Sequence, residues 1–190
     1  FYNLVEKLTH NIDAIILQDY NKGVLTESII EKIIILANKK NIPTIVDPKK
    51  QNFIAYKNCT LFKPNLNEIK EGLKTKIDTN NIDEISQKTS DLRDKISAKA
   101  ILLTLSDKGI FLKTKNNYSL IKSTTSNVID VSGAGDTVVS VAAICMACNI
   151  KFEELALLSN IAGGIVCEKV GVVPITNNEL LERAKEILDV

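Results

Sequence analysis

The residues Gly133, Ala134, Gly135 and Asp136 combine a turn almost free of side chains with a carboxylate, directly before an apolar run of helical length. A helix start presents unpaired backbone N–H groups and a partial positive charge, and small residues let an anion approach both closely. The turn is therefore suited to cradle a phosphate. Asp136 could accept a proton from an attacking hydroxyl while the cradle stabilises charge on the transferred group. Together these residues favour phosphoryl transfer.

A structural alternative explains the same residues without chemistry. The Gly-Ala-Gly turn would only permit tight packing between a strand and a helix, and Asp136 would only complement the helix terminus. The spacing by itself leaves both interpretations open. The chain contains neither G-x-x-x-x-G-K-[ST] nor G-x-G-x-x-G, so it is not a Walker-type nucleoside triphosphatase and lacks the usual dinucleotide fingerprint.

The elements that must position these residues are predicted by the hydrophobic pattern, in which strand-like runs alternate with amphipathic segments and helices follow Asp136. The predicted strands cover residues 13–18, 44–47, 60–63, 100–105, 110–114 and 118–121. The predicted helices cover residues 26–38, 65–72, 82–97, 135–148, 152–169 and 177–188. Such alternation favours an α/β fold with a parallel sheet covered on both faces.

Polar residues follow the predicted strands, at the sheet edge where α/β folds bind their ligands. Four strand ends are therefore the first places to seek a site: Gln18-Asp19-Tyr20, Val46-Asp47-Pro48-Lys49, Lys63-Pro64-Asn65 and Leu105-Ser106-Asp107.

Composition bounds the class of protein. The 190 residues are 45% hydrophobic and 25% charged, which suits one core, and we expect one domain over residues 1–190. The net charge is +1 and the basic residues are scattered, so we expect no nucleic-acid and no membrane partner. The apolar stretch at about 138–150 is too short to span a bilayer and the start carries no signal-peptide pattern, so we expect a cytoplasmic protein.

The cysteines and the single histidine favour no redox or metal site. Cys145 and Cys148 form a C-x-x-C, but within an apolar run and without a second such pair. We interpret these two, with Cys59 and Cys167, as buried small hydrophobic residues in a reducing compartment. His10 lies in a polar segment and is expected at the surface.

With these motifs in view, the chain resembles the ribokinase-like (PfkB) carbohydrate kinases over nearly its whole length. Residues 130–136, D-V-S-G-A-G-D, are similar to that family's C-terminal signature. In the family's order, residues 64–68 resemble its P-N-x-x-E segment, residues 104–109 its T-x-G-x-x-G turn, and residues 160–171 its adenine-side helix. The resemblance implies a three-layer α/β/α ribokinase-like fold with a mostly parallel sheet.

Two loops indicate which subfamily the chain resembles. Residues 18–23 and 46–49 are similar to the D-glycero-heptose-7-phosphate kinases of this family, whose domain is often fused to an ADP-heptose-forming adenylyltransferase. Val131 departs from the Thr that many sugar kinases carry there. The family's glycine-rich N-terminal motif, first strands and β-lid would precede Phe1. We therefore expect a nucleotide-side, partial kinase domain that alone binds nucleotide weakly at best and phosphorylates no sugar phosphate.

The resemblance implies catalytic roles for the Gly-Ala-Gly-Asp residues. Asp136 would be the base that deprotonates the sugar hydroxyl. The N–H groups of Gly133, Ala134 and Gly135 would form the anion hole around the γ-phosphate of ATP.

The resemblance also implies a magnesium position. Asn65 and Glu68 would organise Mg²⁺ through water, which suits a cation that keeps several waters. The alternatives are a helix N-cap for Asn65 and a solvated helix face for Glu68. Asp19, Lys22 and Lys49 would face the cleft, where Lys49 could neutralise phosphate charge, whereas Lys22 is more simply a surface charge.

Nucleotide contacts are implied elsewhere. Thr104, Ser106 and Gly109 would border the ribose and phosphates, although Ser106 stands where a glycine is common; their alternative is a tight β-turn. Asn160 and Gly163 would lie on the adenine side, and the alternative for Asn160 is a polar residue on an exposed helix turn.

A monovalent cation such as K⁺ is implied beside Asp130 and Ser132, with loop capping as the alternative. Asp107 and Lys108 are expected to face solvent.

The implied activity is ATP-dependent phosphorylation of a sugar phosphate, heptose 7-phosphate to heptose 1,7-bisphosphate, by a protein that is a homodimer when full length. The alternatives are another ribokinase-like sugar or nucleoside kinase, and a non-catalytic nucleotide-binding or assembly module.

Overall fold

The computed structural model describes residues 1–125 and 127–188. Across these described residues, six strands form one sheet in chain order, with β1 and β6 at its edges. The strands are β1 (Ile15–Gln18), β2 (Thr44–Asp47), β3 (Leu61–Phe62), β4 (Ala100–Thr104), β5 (Ile110–Lys113) and β6 (Tyr118–Ile121). Strands β1 to β4 run parallel, whereas the pairs β4–β5 and β5–β6 are antiparallel. The predicted mostly parallel sheet is confirmed.

The helices follow the predicted segments closely. In the described part of the chain they are α1 (Tyr2–Leu8), α2 (Glu27–Lys39), α3 (Leu66–Leu73), α4 (Ile82–Ile96), α5 (Ala134–Ala147), α6 (Phe152–Cys167) and α7 (Asn177–Leu188). Side-chain caps set several of their starts, as at Thr26, which accepts the N–H of Ile29, and at Asn81, which accepts the N–H groups of Asp83 and Glu84.

Helix α1 is the element that the sequence pattern does not predict. None of its residues is buried, and no side chain caps its start. Its apolar side chains Tyr2 and Val5 pack against the core beneath α2, and Lys40 Nζ donates to Thr9 Oγ1 at 2.8 Å just beyond its end. Tertiary contacts therefore form this short helix, which local preference alone would leave marginal.

The two faces of the sheet bury separate hydrophobic clusters. Because successive strand residues point to opposite faces, Val46 and Phe62 pack with α2, α3 and α4, whereas Ile45 and Leu61 pack with α5 and α6. Helix α7 packs on the outside of α6 through Ala184. The predicted three-layer α/β/α arrangement is confirmed.

The cysteines are less uniformly buried than predicted. Cys59 and Cys145 are buried, and burial raises the pKa of each thiol. Cys148 is exposed, because it is the C-cap of α5 and lies where the helix ends, and Cys167 is only partly buried. His10 is exposed, as expected. Over the described residues, none of the helices combines the length and the apolar character that crossing a bilayer requires.

Candidate active site

The carboxyl ends of β1, β2 and β3 meet the start of α5. Gln18 stands opposite Asp47 in the parallel register, and Lys63 directly follows β3. Helix α5 contacts β1 and β2, and it begins at the Gly-Ala-Gly-Asp sequence. The fold thus brings the predicted phosphate cradle to the predicted strand ends.

Within the glycine turn, Gly133 has the backbone conformation that favours glycine. Gly133 is the N-cap of α5 with φ of 80°, in the left-handed region, and a Cβ there would approach Val172 Cγ1 at 3.2 Å. A Cβ on Gly135 would lie 3.8 Å from the ammonium of Lys63. The N–H of Ala134 donates to the carbonyl of Val131 at 3.2 Å, so an anion at this amide would compete with that bond.

A buried ion pair lies beneath the turn. Lys63 Nζ is 2.8 Å from Asp47 Oδ1, and the two side chains are only 3% and 7% exposed. The Gln18 side chain joins this pair to the predicted base, because its Nε2 contacts Asp47 Oδ2 and lies 3.3 Å from Asp136 Oδ1. Asp136 itself is exposed at the open side of the site. Positive charge from Lys63 and from the helix start therefore flanks an accessible carboxylate.

Asn65 and Glu68 form a reciprocal capping box at the start of α3. Asn65 Oδ1 accepts the N–H of Glu68 at 2.8 Å, and Glu68 Oε2 accepts the N–H of Asn65 at 2.8 Å. The N-cap alternative for Asn65 is thus present. Glu68 is buried rather than on a solvated face, which corrects that alternative, and its Oε1 pairs with Lys49.

Lys49 lies among carboxylates. Partial burial by itself would lower the pKa of Lys49, but the hydrogen bond with Glu68 and the nearby charges of Asp47 and Asp136 raise it above its ordinary value. The ammonium therefore stays charged at neutral pH, next to the predicted base and the predicted magnesium residues.

The predicted magnesium residues would have to bind a hydrated cation with oxygens that already accept hydrogen bonds, since Asn65 Oδ1 and Glu68 Oε2 form the capping box and Glu68 Oε1 pairs with Lys49. Nowhere in residues 1–125 or 127–188 do three or more His, Cys, Asp or Glu side chains gather as a metal cage. Asn65 and Glu68 supply oxygen atoms at one helix start, which suits a hard cation that is also held by its waters and by phosphates.

The predicted nucleotide turn lies beside this helix start. Thr104 ends β4, donates its N–H to Pro64 O at 3.1 Å and forms a parallel bridge with Asn65. Ser106 is exposed with φ of 57°, which explains why glycine suits this position. Gly109 has φ of 92°, and a Cβ there would lie 2.1 Å from Ile121 O, so the tight-turn role is real.

Asp107 and Lys108 were both predicted to face solvent. Asp107 is exposed, but Lys108 is only partly exposed. Lys108 Nζ donates to Thr79 O at 3.2 Å, to Thr79 Oγ1 at 2.9 Å and to Asn80 Oδ1 at 2.6 Å. The lysine thereby ties the predicted nucleotide turn to the connection between α3 and α4.

The adenine-side predictions fall on buried packing positions. Asn160 is 7% exposed and donates to Lys122 O at 2.7 Å, so the alternative of an exposed helix turn is wrong. Gly163 faces α5, where a Cβ would approach Val138 Cγ2 at 3.0 Å. Both residues hold α6 against its neighbours, and helical periodicity alone could not show which side of α6 was covered.

Asp130 accepts hydrogen bonds from its own loop and from the loop that follows α6. Its Oδ1 accepts the N–H of Ser132 at 2.9 Å and the hydroxyl of Ser132 at 2.7 Å, and its Oδ2 accepts the N–H of Gly171 at 2.9 Å. These bonds lower the pKa of Asp130. The structure thus contains the capping arrangement that was the alternative to a cation site.

Lys22 and Asp19, both predicted at the end of β1, have different surroundings. Lys22 is an exposed surface charge. Asp19, which was expected to face the cleft, is only 2% exposed and accepts hydrogen bonds from Asn52 at 3.1 Å and Tyr56 at 2.7 Å. Burial, together with the bond to Asp19, raises the pKa of Tyr56. Asp19 therefore fixes the loop after β1.

Gln18, Asp47 and Lys63 are site residues for which the sequence pattern indicates no role. Each lies at the end of a strand, where a polar side chain is common. The available signal was the parallel register, which sets Gln18 beside Asp47.

Comparison with known proteins identifies the family of the chain. The family model described as pfkB family carbohydrate kinase matches residues 3–178. The chain is 34% identical over 184 residues to the bifunctional protein HldE of Koribacter versatilis, and 38% identical over 177 residues to that of Histophilus somni. These alignments cover 95% and 93% of the chain but 37% and 36% of the relatives, so the chain spans just over a third of their length.

Solved structures show the same fold. Phosphofructokinase-2 from Escherichia coli, in complex with potassium, superposes with a TM-score of 0.85 at 18% identity over 98% of this chain and 62% of that one. Arabidopsis thaliana ribokinase, complexed with ribose and ATP, superposes with a TM-score of 0.79 at 20% identity over 97% of this chain and 58% of that one. The fold is ribokinase-like, and the chain belongs to the pfkB family of carbohydrate kinases.

Proposed function

We propose that the protein containing this chain transfers the γ-phosphoryl group of ATP to a hydroxyl of a sugar phosphate. The observation that carries the proposal is the placement of Asp136 in the first turn of α5, directly after a turn without bulky side chains whose Gly135 lies next to the Lys63 ammonium. A pure nucleotide-binding or assembly module would need no accessible carboxylate at this point.

The chemistry follows from these residues. Asp136 accepts the proton of the sugar hydroxyl as its oxygen bonds to the γ-phosphorus, and the bond from that phosphorus to the β–γ bridging oxygen breaks, releasing ADP. Amides at the start of α5, with Lys63 and Lys49, stabilise the negative charge of the transferred group. Asn65 and Glu68 would hold hydrated Mg²⁺, which neutralises phosphate charge when it is bound.

The finer part of the proposal is the substrate, heptose 7-phosphate, with heptose 1,7-bisphosphate as the product. The similarity of residues 18–23 and 46–49 to heptose-phosphate kinases supports it, as does the 34–39% identity to proteins named HldE. Another sugar phosphate is the alternative within the family. Homodimer assembly and a K⁺ position beside Asp130 and Ser132 belong to the proposal as well, and the cation would have to displace the capping bonds of Asp130.

The decisive experiment is Asp136→Asn in the intact protein, assayed with ATP and a panel of sugar phosphates. We expect kcat to fall by roughly 10²–10⁴-fold, because the amide cannot accept the proton, while ATP binding is retained. Asp83→Asn is the matched control, since Asp83 is an exposed carboxylate in the first turn of α4. Equal activity of the Asp136 variant and the control would refute the assigned role. The panel itself tests the heptose assignment.

A further inference from the structure

Gln18 is the side chain that links the candidate base to the buried ion pair. Its Nε2 contacts Asp47 Oδ2 and lies 3.3 Å from Asp136 Oδ1, across 118 positions of the sequence. Asp47 is in turn fixed by Lys63 at 2.8 Å. A continuous set of polar contacts therefore runs from the buried lysine to the exposed carboxylate.

The chemistry of the contacts fixes the orientation of the amide. Two carboxylate oxygens repel a carbonyl oxygen but accept N–H groups, so the NH₂ end of Gln18 must face both acids. An amide nitrogen carries two hydrogens, which is the number needed to serve Asp47 and Asp136 together.

Asp136 needs such a partner because it is exposed. An exposed aspartate samples several side-chain rotamers, and only some of them direct an oxygen toward the site. The nearby Ser140 hydroxyl donates to the backbone carbonyl of Asp136 at 2.7 Å and so leaves the carboxylate unconstrained.

We propose that Gln18 is a positioning residue for Asp136: one amide hydrogen holds Oδ1 and leaves Oδ2 to take the substrate proton, while the other anchors the amide on Asp47. This inference rests on the proposed function. Gln18 itself touches neither the transferred group nor the hydroxyl; it acts through the orientation of Asp136.

The test compares Gln18→Leu with wild type in the intact protein. Leucine fills similar space but donates no hydrogen bond, so we expect kcat to fall by about 10- to 100-fold, since small misplacements of a catalytic group have effects of this size. ATP affinity should stay within about threefold of wild type, because the loss lies in the chemical step.

Gln87→Leu is the matched control. Gln87 Nε2 donates to Asp91 Oδ1 at 2.8 Å on the exposed surface of α4, so the control removes the same kind of bond away from the site. Its kcat should remain within about twofold of wild type, because an exposed pair of this kind contributes little.

Gln18→Glu separates positioning from simple support of the fold. At neutral pH the introduced carboxylate repels both acids, whereas at lower pH it gains a proton and can again donate one hydrogen bond. The kcat deficit relative to wild type should therefore shrink between about pH 8 and about pH 5.5. A merely structural role would leave the deficit constant.

The outcomes separate this inference from the proposed function. Active wild type with Gln18→Leu as active as Gln87→Leu overturns the inference and leaves the proposed function standing. The inference also fails if Gln18→Leu loses ATP affinity or folded protein in parallel with kcat while the kcat deficit of Gln18→Glu stays constant with pH. Wild type inactive on every sugar phosphate overturns the proposed function, and the inference fails with it.

Discussion

At the scale of single residues, the buried pair of Lys63 and Asp47 is the most demanding feature of the site. Both side chains are almost fully removed from water, so each needs the other's charge. A lysine in this position serves the site only while its carboxylate is present, and removing one partner leaves an uncompensated charge in the interior.

We predict that Lys63→Ala lowers the free energy of unfolding by about 3–5 kcal/mol, because Asp47 is then buried without a cation. The double variant Lys63→Met with Asp47→Leu should recover most of this loss, since apolar side chains replace both charges. Denaturant unfolding of the three proteins measures both effects. A double variant as unstable as Lys63→Ala would show that packing, and not the charge pair, is responsible.

The contacts that a sequence can indicate are those whose partners are local. The N-cap was one of the two interpretations left open for Asn65, and its bond is to the N–H of Glu68, only three positions away, whereas the burial of Glu68 had no such local signal. The contacts of Gln18 and Lys63 join separate strands, and Asn160 is buried by a segment 38 positions away. Only the assembled sheet shows which of several polar strand ends meet.

At the scale of elements, helix α7 is fastened to the end of α6 by charged side chains. Arg183 donates to both carboxylate oxygens of Glu168, at 3.0 and 2.8 Å, and Lys169 pairs with Glu179. Glu179 also accepts the N–H of Thr176 at 2.7 Å and its hydroxyl at 2.9 Å. These bonds add to the apolar cluster that joins the two helices through Ile161, Ile165 and Ala184.

This fastening predicts a pH dependence. The bond to Lys169 and those to Thr176 lower the pKa of Glu179 from its ordinary value of 4.5 to about 2. A carboxyl whose pKa is lower in the folded protein contributes stability above its unfolded pKa, and loses that contribution as the pH falls toward the folded value. Glu168, whose pKa is lowered by Arg183, acts in the same direction.

We therefore expect Glu179→Gln to be less stable than wild type at pH 7 and to approach it between about pH 4.5 and about pH 2. Denaturant midpoints measured across this range provide the comparison. Glu182→Gln, an exposed carboxylate on the same helix, is the control and should follow wild type throughout. A Glu179→Gln deficit that persists at pH 2 would contradict the electrostatic explanation.

Elements were predicted well wherever caps and apolar periodicity agreed, as in α2 and α4. Helix α1 was missed because it has neither a capping side chain nor a buried residue, and its packing partner α2 begins only at Glu27, whereas α1 ends at Leu8. The exposure of Cys148 was missed for a related reason: an apolar run does not show where its helix turns outward.

At the scale of the whole molecule, strand β1 ends the described sheet with an unpaired edge. Within the described residues it pairs with β2 alone, and Ile16 on it is 41% exposed. A cavity of about 580 Å³ lies along the same edge, with apolar walls that include Phe1, Val5 and Val24. Exposed strand edges of this kind readily pair with other chains.

We predict that the isolated chain of 190 residues self-associates through β1, and that Ile16→Lys reduces this association because an edge charge opposes strand pairing. Light scattering against protein concentration is the measurement. Ile35→Lys on α2 is the control, since Ile35 is 47% exposed but lies away from the sheet edge. Equal association of both variants would show that β1 is not the contact.

The hydrogen bonds from Lys108 to Thr79 and Asn80 restrict which sequence changes this protein can accumulate in evolution. The connection between α3 and α4 is the kind of segment that usually tolerates insertions and deletions. The hydrogen bonds of Lys108 fix its length, however, because an inserted or deleted residue would move Thr79 and Asn80 away from the turn between β4 and β5. Substitutions should accumulate in this loop far more easily than changes in its length.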